Sequence, residues 1–220
     1  MKKGALFIVV LSLISYSVLL FTNCKASFET KELFQTDNFE NLQTGDIIFQ
    51  TSKSYQSKAI QLATHSKYSH VGILYEENTV LYVYEAIQPV KMTLLTEWIK
   101  RGKDSHYVVK RLKNAAEILN PNTILKLKKV GEKYINKDYD SYFEWSDEKI
   151  YCSELVWKIY KEATGIEIGK LERLADFDFS SQIVKQAMKE RYQNTIPLNE
   201  KVISPEAIFR SDKLITIKKK

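Results

Sequence analysis

The chain has 220 residues, 44% of them hydrophobic and 27% charged. That balance excludes a disordered or fibrous chain and allows a proper core in one domain or two small ones. Seven glycines and four prolines exclude a linker-rich or collagen-like chain, and two cysteines, Cys24 and Cys152, are too few for a disulfide framework or a multi-cysteine zinc site. Lys2 and Lys3 fall in a targeting-type segment; without them 31 basic residues face 27 acidic ones, too mild and dispersed an excess for a nucleic-acid binder.

Lys2 and Lys3 precede Gly4 to Asn23, twenty residues without a charge. A basic start followed by an apolar run reads as an export signal. The run also approaches the length of a membrane span, roughly 20 residues. It ends in Phe21-Thr22-Asn23-Cys24, which resembles a bacterial lipobox and departs from Leu-Ala-Gly-Cys at Phe21 and Asn23. Three readings stay open: a lipoprotein lipidated on Cys24, an uncleaved anchor, and a cleaved signal. The lipobox resemblance favours the first. The expected organisation is a signal segment over 1–23, a polar lead over 24–41 and one α+β domain over 42–220.

Within that domain Asp46 to Gln50 is a short apolar run after Gly45, read as a buried strand. The apolar spacing of Ser54 to Thr64 predicts a short helix. His70 to Tyr75 and Val80 to Ala86 are β-branched and aromatic runs around the polar cluster Glu76-Glu77-Asn78-Thr79, which predicts a hairpin. Leu94 to Arg101 reads as helix and His106 to Leu112 as strand. Pro121 opens a helix over Asn122 to Ile135. Glu148 to Thr164, stopped by Gly165, is the clearest helix. Residues 166–200 are irregular apart from a helix near Ser181 to Tyr192. Lys201 to Pro205 and Lys213 to Ile217 read as strand, turn and a last strand.

The hairpin carries a chemical proposal. A loop over Glu76–Thr79 pairs Tyr75 with Val80 and sets His70 directly opposite Glu85. Opposite residues share a face with Cβ atoms about 4.5–5.5 Å apart. The pair is either a His–carboxylate couple or an ordinary surface salt bridge, which contributes little. The second feature is Tyr151-Cys152-Ser153-Glu154-Leu155-Val156. Cys152, Leu155, Val156, Ile159, Tyr160 and Ala163 form one apolar helical stripe. Cys152 is thus a small core residue, or a nucleophile near a helix start whose amides favour a thiolate and hold an oxyanion.

Taken in order, Gly45-Asp46-Ile47-Ile48-Phe49, Ser69-His70-Val71-Gly72-Ile73, Tyr84-Glu85-Ala86, Tyr139-Asp140 and Tyr151-Cys152-Ser153-Glu154-Leu155-Val156 resemble the YiiX-like permuted papain-like enzymes, a branch of the NlpC-type cell-wall peptidase superfamily. The resemblance runs from about Leu42 to Ile217 and includes Ser204 to Ser211. It implies an α+β, permuted papain-like core in which an antiparallel sheet packs against a nucleophile-bearing helix, with the His strand before the Cys helix. It implies Cys152 as nucleophile, His70 as general base, Glu85 as the group orienting the imidazole, and Tyr139 as a site-lining residue. A packed aromatic is the alternative for Tyr139. His65 and His106 compete for the base role, but neither has an evident orienting partner. A metal site from His65, His70 and Cys152 has no recognised ligand spacing, and no cofactor is expected.

Three function classes remain. The favoured one is a cysteine amidase or peptidase acting on envelope peptides such as peptidoglycan stem peptides, through a Cys-His-Glu triad and a thioester. The second is an acyltransferase or lipid hydrolase at the membrane, since lecithin:retinol acyltransferase-like proteins also place His before Cys in a permuted core. The third is a binding module that kept the fold. The expected partners are an envelope peptide or lipid substrate and a membrane reached through the N-terminal lipid or anchor, with no nucleic acid.

Overall fold

β-Branched and aromatic runs build the frame. Strands β1 (Ile47–Gln50), β2 (His70–Glu77), β3 (Val80–Glu85), β4 (Lys91–Leu94), β5 (Tyr107–Leu112) and β8 (Leu214–Lys219) form an antiparallel sheet in the order β4-β3-β2-β1-β5-β8. The short strands β6 (Glu172–Arg173) and β7 (Lys201–Val202) pair separately. The computed structural model describes residues 39–193 and 195–220. The signal segment, Cys24 and nearly all of the polar lead lie outside the described residues. Leu42–Lys220 forms one compact unit, and none of its helices is long and apolar enough to cross a membrane.

Seven helices are described: α1 (Ser57–Ala63), α2 (Leu95–Arg101), α3 (Ala115–Ile118), α4 (Pro121–Glu132), α5 (Cys152–Thr164), α6 (Gln182–Tyr192) and α7 (Pro205–Phe209). Helix α5 packs on β2 and against α4. Its stripe of Leu155, Val156, Ile159 and Tyr160 joins Ile47, Phe49, Val71 and Ile73 of the sheet in one buried core. At about 25 cal/mol per Å², burying a side chain of this size stabilises the fold by about 1.5–3 kcal/mol before entropy is counted. Asn120 caps α4 by accepting from the Thr123 N–H at 3.1 Å, Pro121 takes the first helical position, and Gly165 ends α5 with φ 76°. The buried Asp46 carboxylate takes two hydrogen bonds from Arg111, at 2.6 and 2.7 Å, tying the start of β1 to β5. The Gly45-Asp46 motif is therefore structural.

The structure corrects three sequence expectations. The hairpin loop is Asn78-Thr79 alone, with Glu77 paired to Val80 and Ile73 to Tyr84. Both loop residues have positive φ, 49° and 66°, the geometry of a two-residue turn that matches strand twist. His70 therefore does not lie opposite Glu85. Continued, the register sets Gly72 opposite Glu85 and His70 one step along the diagonal. The slip is two residues, so both side chains keep the same face. The Cys helix begins at Cys152 rather than Glu148, because Ile150 bridges to Tyr139 and Tyr151 is extended (φ −103°, ψ 168°). Strand β4 and helices α3 and α7 were not foreseen.

Segment 166–200 builds a small satellite core of Leu174, Val184 and Met188, with Leu62, Ala63, Phe177 and Phe179 packed on it. Helix α6 packs against α1 there.

Candidate active site

His70 opens β2 at the end where α5 begins. Its Nε2 lies 2.6 Å from Glu85 Oε2. The diagonal reach is open because Gly72 stands between them without a side chain; a Cβ there would collide with Val83 Cγ1 and would meet the Tyr84 carbonyl at 2.8 Å. Glu85 is completely buried, which removes the surface salt-bridge reading. It also accepts from Thr93 Oγ1 at 2.6 Å, Trp98 Nε1 at 2.9 Å and the Arg101 guanidinium. Trp98 stacks on the His70 ring at 5.9 Å with the planes 26° apart. Sequence reasoning missed Thr93, Trp98 and Arg101. They arrive from β4 and α2, and only the tertiary packing of α2 brings them to the carboxylate.

With Nε2 committed to Glu85, Nδ1 is the nitrogen left for the sulfur. Cys152 is close enough to the imidazole to bear on its protonation. Burial works against a charge on His70, but the hydrogen bonds and charges of Cys152 and Glu85 outweigh it and raise its pKa to about 9. Burial likewise opposes the Glu85 charge, but His70 and Arg101 hold its pKa down at about 2. At neutral pH the pair is therefore imidazolium and carboxylate.

As the first residue of α5, Cys152 sits among backbone N–H groups with no intrahelical acceptor, at the positive end of the helix dipole. Its neighbours anchor that end. Ser153 Oγ donates to the Ile203 carbonyl at 2.7 Å, and the Ile203 N–H donates to Tyr151 Oη at 3.0 Å. Glu154 holds the Tyr151 N–H at 3.4 Å and pairs with Lys158 at 2.8 Å. Burial nonetheless pushes the Glu154 pKa up to about 7.

Cys152 faces a cleft of about 710 Å³, part of it open to solvent. Its walls are mostly apolar, with Ile60, Phe143, Leu174, Phe177, Val184 and Met188 among them. Tyr139 lines it, carried beside the Cys helix by the bridge to Ile150. Burial first, then the nearby sulfur charge, raise the Tyr139 pKa, so the phenol keeps its proton. Gln56 Nε2 donates to Tyr139 Oη at 2.9 Å, and Arg191 donates to Gln56 Oε1 at 3.1 Å. Neither Gln56 nor Arg191 carries a motif signal. The competing histidines are elsewhere: exposed His65 pairs with Asp178 at 3.2 Å, and His106 lies 3.2 Å from Lys67 Nζ.

Residues 41–218 match the model of the permuted papain-like amidase family, YaeF/YiiX, C92. The uncharacterized protein YiiX of Escherichia coli K12 is 48% identical over 177 residues, which are 80% of this chain and 86% of YiiX. The crystal structure of YiiX from Escherichia coli O157:H7, described there as a metalloprotein, superposes with a TM-score of 0.78 at 48% identity, covering 81% of this chain and 97% of that one. The chain belongs to the permuted papain-like amidase family.

Proposed function

We propose that the protein is a cysteine amidase of the cell envelope that cleaves an amide bond through a thioester on Cys152. One observation carries this reading: the buried His70–Glu85 pair, 2.6 Å apart, has its protonation shifted by Cys152, which opens a buried helix and lines an open cleft. The sulfur attacks the amide carbonyl as a thiolate, with the His70 imidazolium as its counter-ion. The N–H groups of the first turn of α5 receive the oxyanion. His70 gives its proton to the leaving amine, then takes one from the water that hydrolyses the thioester. Glu85 fixes the imidazole tautomer and balances its charge.

Two substrate readings follow from the site. Envelope peptides such as peptidoglycan stem peptides suit the amidase chemistry and an exported protein. The apolar walls of the cleft favour the second reading, a substrate with an acyl chain, handled by a lipid hydrolase or an acyltransferase at the membrane. Tethering through Cys24 suits either. The YiiX structure is described as a metalloprotein. Among the described residues no three His, Cys, Asp or Glu side chains gather to hold an ion, and His70 Nε2 is committed to Glu85.

The test is incubation of wild type and Cys152→Ala with peptidoglycan fragments, N-acyl amino acids and phospholipids, read by mass spectrometry. Products from wild type alone are expected, and the substrate class that yields them separates the two readings. Equal product from both proteins, or none from a folded wild type, would refute the hydrolase.

A further inference from the structure

Beside Cys152 three side chains form a hydrogen-bond chain whose direction is dictated by donor chemistry. Arg191, in the last turn of α6, contacts Gln56 at 3.1 Å and packs over the Phe143 ring at 4.1 Å. A guanidinium holds only donors. The Gln56 atom facing it is therefore the carbonyl oxygen, and the amide nitrogen is turned to the other side. That nitrogen donates to Tyr139 Oη at 2.9 Å. The bond occupies a lone pair of the phenol and leaves its own proton unused. Among the described residues the Tyr139 hydroxyl makes no other hydrogen bond, and Arg191 forms no ion pair. Tyr139 and Cys152 line the same cleft.

We propose that Gln56, oriented by Arg191, is a positioning residue that fixes Tyr139 as a hydrogen-bond donor to the carbonyl oxygen under attack at Cys152. When Sγ bonds to the carbonyl carbon, the C=O π pair moves onto oxygen. That oxyanion receives the Tyr139 O–H together with the helix N–H groups. Collapse restores the double bond and expels the amine, which leaves with the proton from His70. Tyr139 keeps its proton throughout, in line with the burial and sulfur charge that disfavour its phenolate. This rests on the reading of Cys152 as an acylated nucleophile.

Two reagents separate the donor from the nucleophile. Iodoacetamide alkylates the sulfur without forming an oxyanion; p-nitrophenyl acetate acylates it through one. Full-length Cys24→Ser protein, in which Cys152 is the remaining thiol, is compared with the same protein carrying Gln56→Glu, Tyr139→Phe or both. The carboxylate introduced by Gln56→Glu retains the Arg191 contact but presents only acceptors, so it draws the phenol proton away from Cys152. Expected are a loss of about 100-fold in the nitrophenol burst for each variant, the scale of losing one oxyanion donor, and no further loss in the double variant. Alkylation rates and melting temperatures should stay close to those of the parent. Undiminished acylation in either variant, or acylation and alkylation falling together, would overturn the proposal. A parent that is alkylated but never acylated defeats the donor and leaves the nucleophile standing. A folded parent inert to both reagents defeats the nucleophile, and the donor with it.

Discussion

Glu85 concentrates the chemistry of the His70 side of the site in one carboxylate with four donors around it. Oε2 takes His70, Trp98 and Arg101, and Oε1 takes Thr93. A glutamine can keep its oxygen toward His70 and Trp98 and donate its amide to Thr93 Oγ1. Glu85→Gln should therefore fold yet lose turnover by about 10²–10⁴-fold, since the charge behind the imidazolium is gone. Glu85→Ala removes the partner of a buried charge and should cost about 3–5 kcal/mol. The pH dependence has a definite sign. His70 titrates at about 9 against an ordinary 6.5, so its stabilisation is full below 6.5 and is lost as pH rises through about 9. Glu85 titrates at about 2 against an ordinary 4.5, so its stabilisation is full above 4.5 and is lost as pH falls through about 2. Thermal melts should show the widest gap between wild type and Glu85→Gln from pH 4.5 to 6.5, closing on both sides. A gap independent of pH would uncouple the pair from stability.

At the scale of elements, the hairpin turn sets the register that brings His70 and Glu85 together. Thr79 is β-branched yet held at φ 66°, a left-handed conformation that costs an L-residue about 1–2 kcal/mol. Glycine is free of that strain and completes the Asn-Gly pair that such turns favour. Thr79→Gly should raise stability by about 0.5–1 kcal/mol in denaturant unfolding, after the entropy of the glycine is subtracted. Activity should not change, because the pairing of Glu77 with Val80 is kept. A destabilised variant would contradict the turn geometry. Helix α5 makes the parallel point. Its four-residue delay relative to the charge pattern places Cys152 among the free N–H groups instead of one turn inside the helix, where its amide would be spent on the backbone ladder.

For the whole molecule the open matter is location. The domain that holds the site carries no membrane-crossing helix among its described residues, so an envelope address rests on the N-terminal segment and Cys24. We expect a fatty-acid analogue to label wild type in a bacterial host and to leave Cys24→Ser unlabelled. Equal labelling, or an intact Met1 N-terminus in the isolated protein, would remove the lipoprotein assignment. A cysteine hydrolase tethered there would meet amphiphilic substrates at the membrane surface, the setting in which the apolar walls over Cys152 gain most.

Local chemistry carried far in this chain. The β-branched and aromatic runs of β2 and β3, the helix-opening Pro121 and the stop at Gly165 are nearest-neighbour effects, legible in a few consecutive residues, and they yielded the main strands, the main helices and the pairing of His70 with Glu85 on one face. Motif order led from there to the family. What packing alone decided depends on residues far apart in the chain. Asn78 and Thr79 accept left-handed angles because the flanking strands hold them, and that moved the register by two. Ile150 is held in a bridge to Tyr139 and Tyr151 is extended, and that moved the helix start to Cys152. Thr93, Trp98 and Arg101 reach Glu85, and Arg191 reaches Gln56 across 135 positions, because helices α2 and α6 bury their apolar faces there. No local propensity encodes such contacts; they exist once the core has closed.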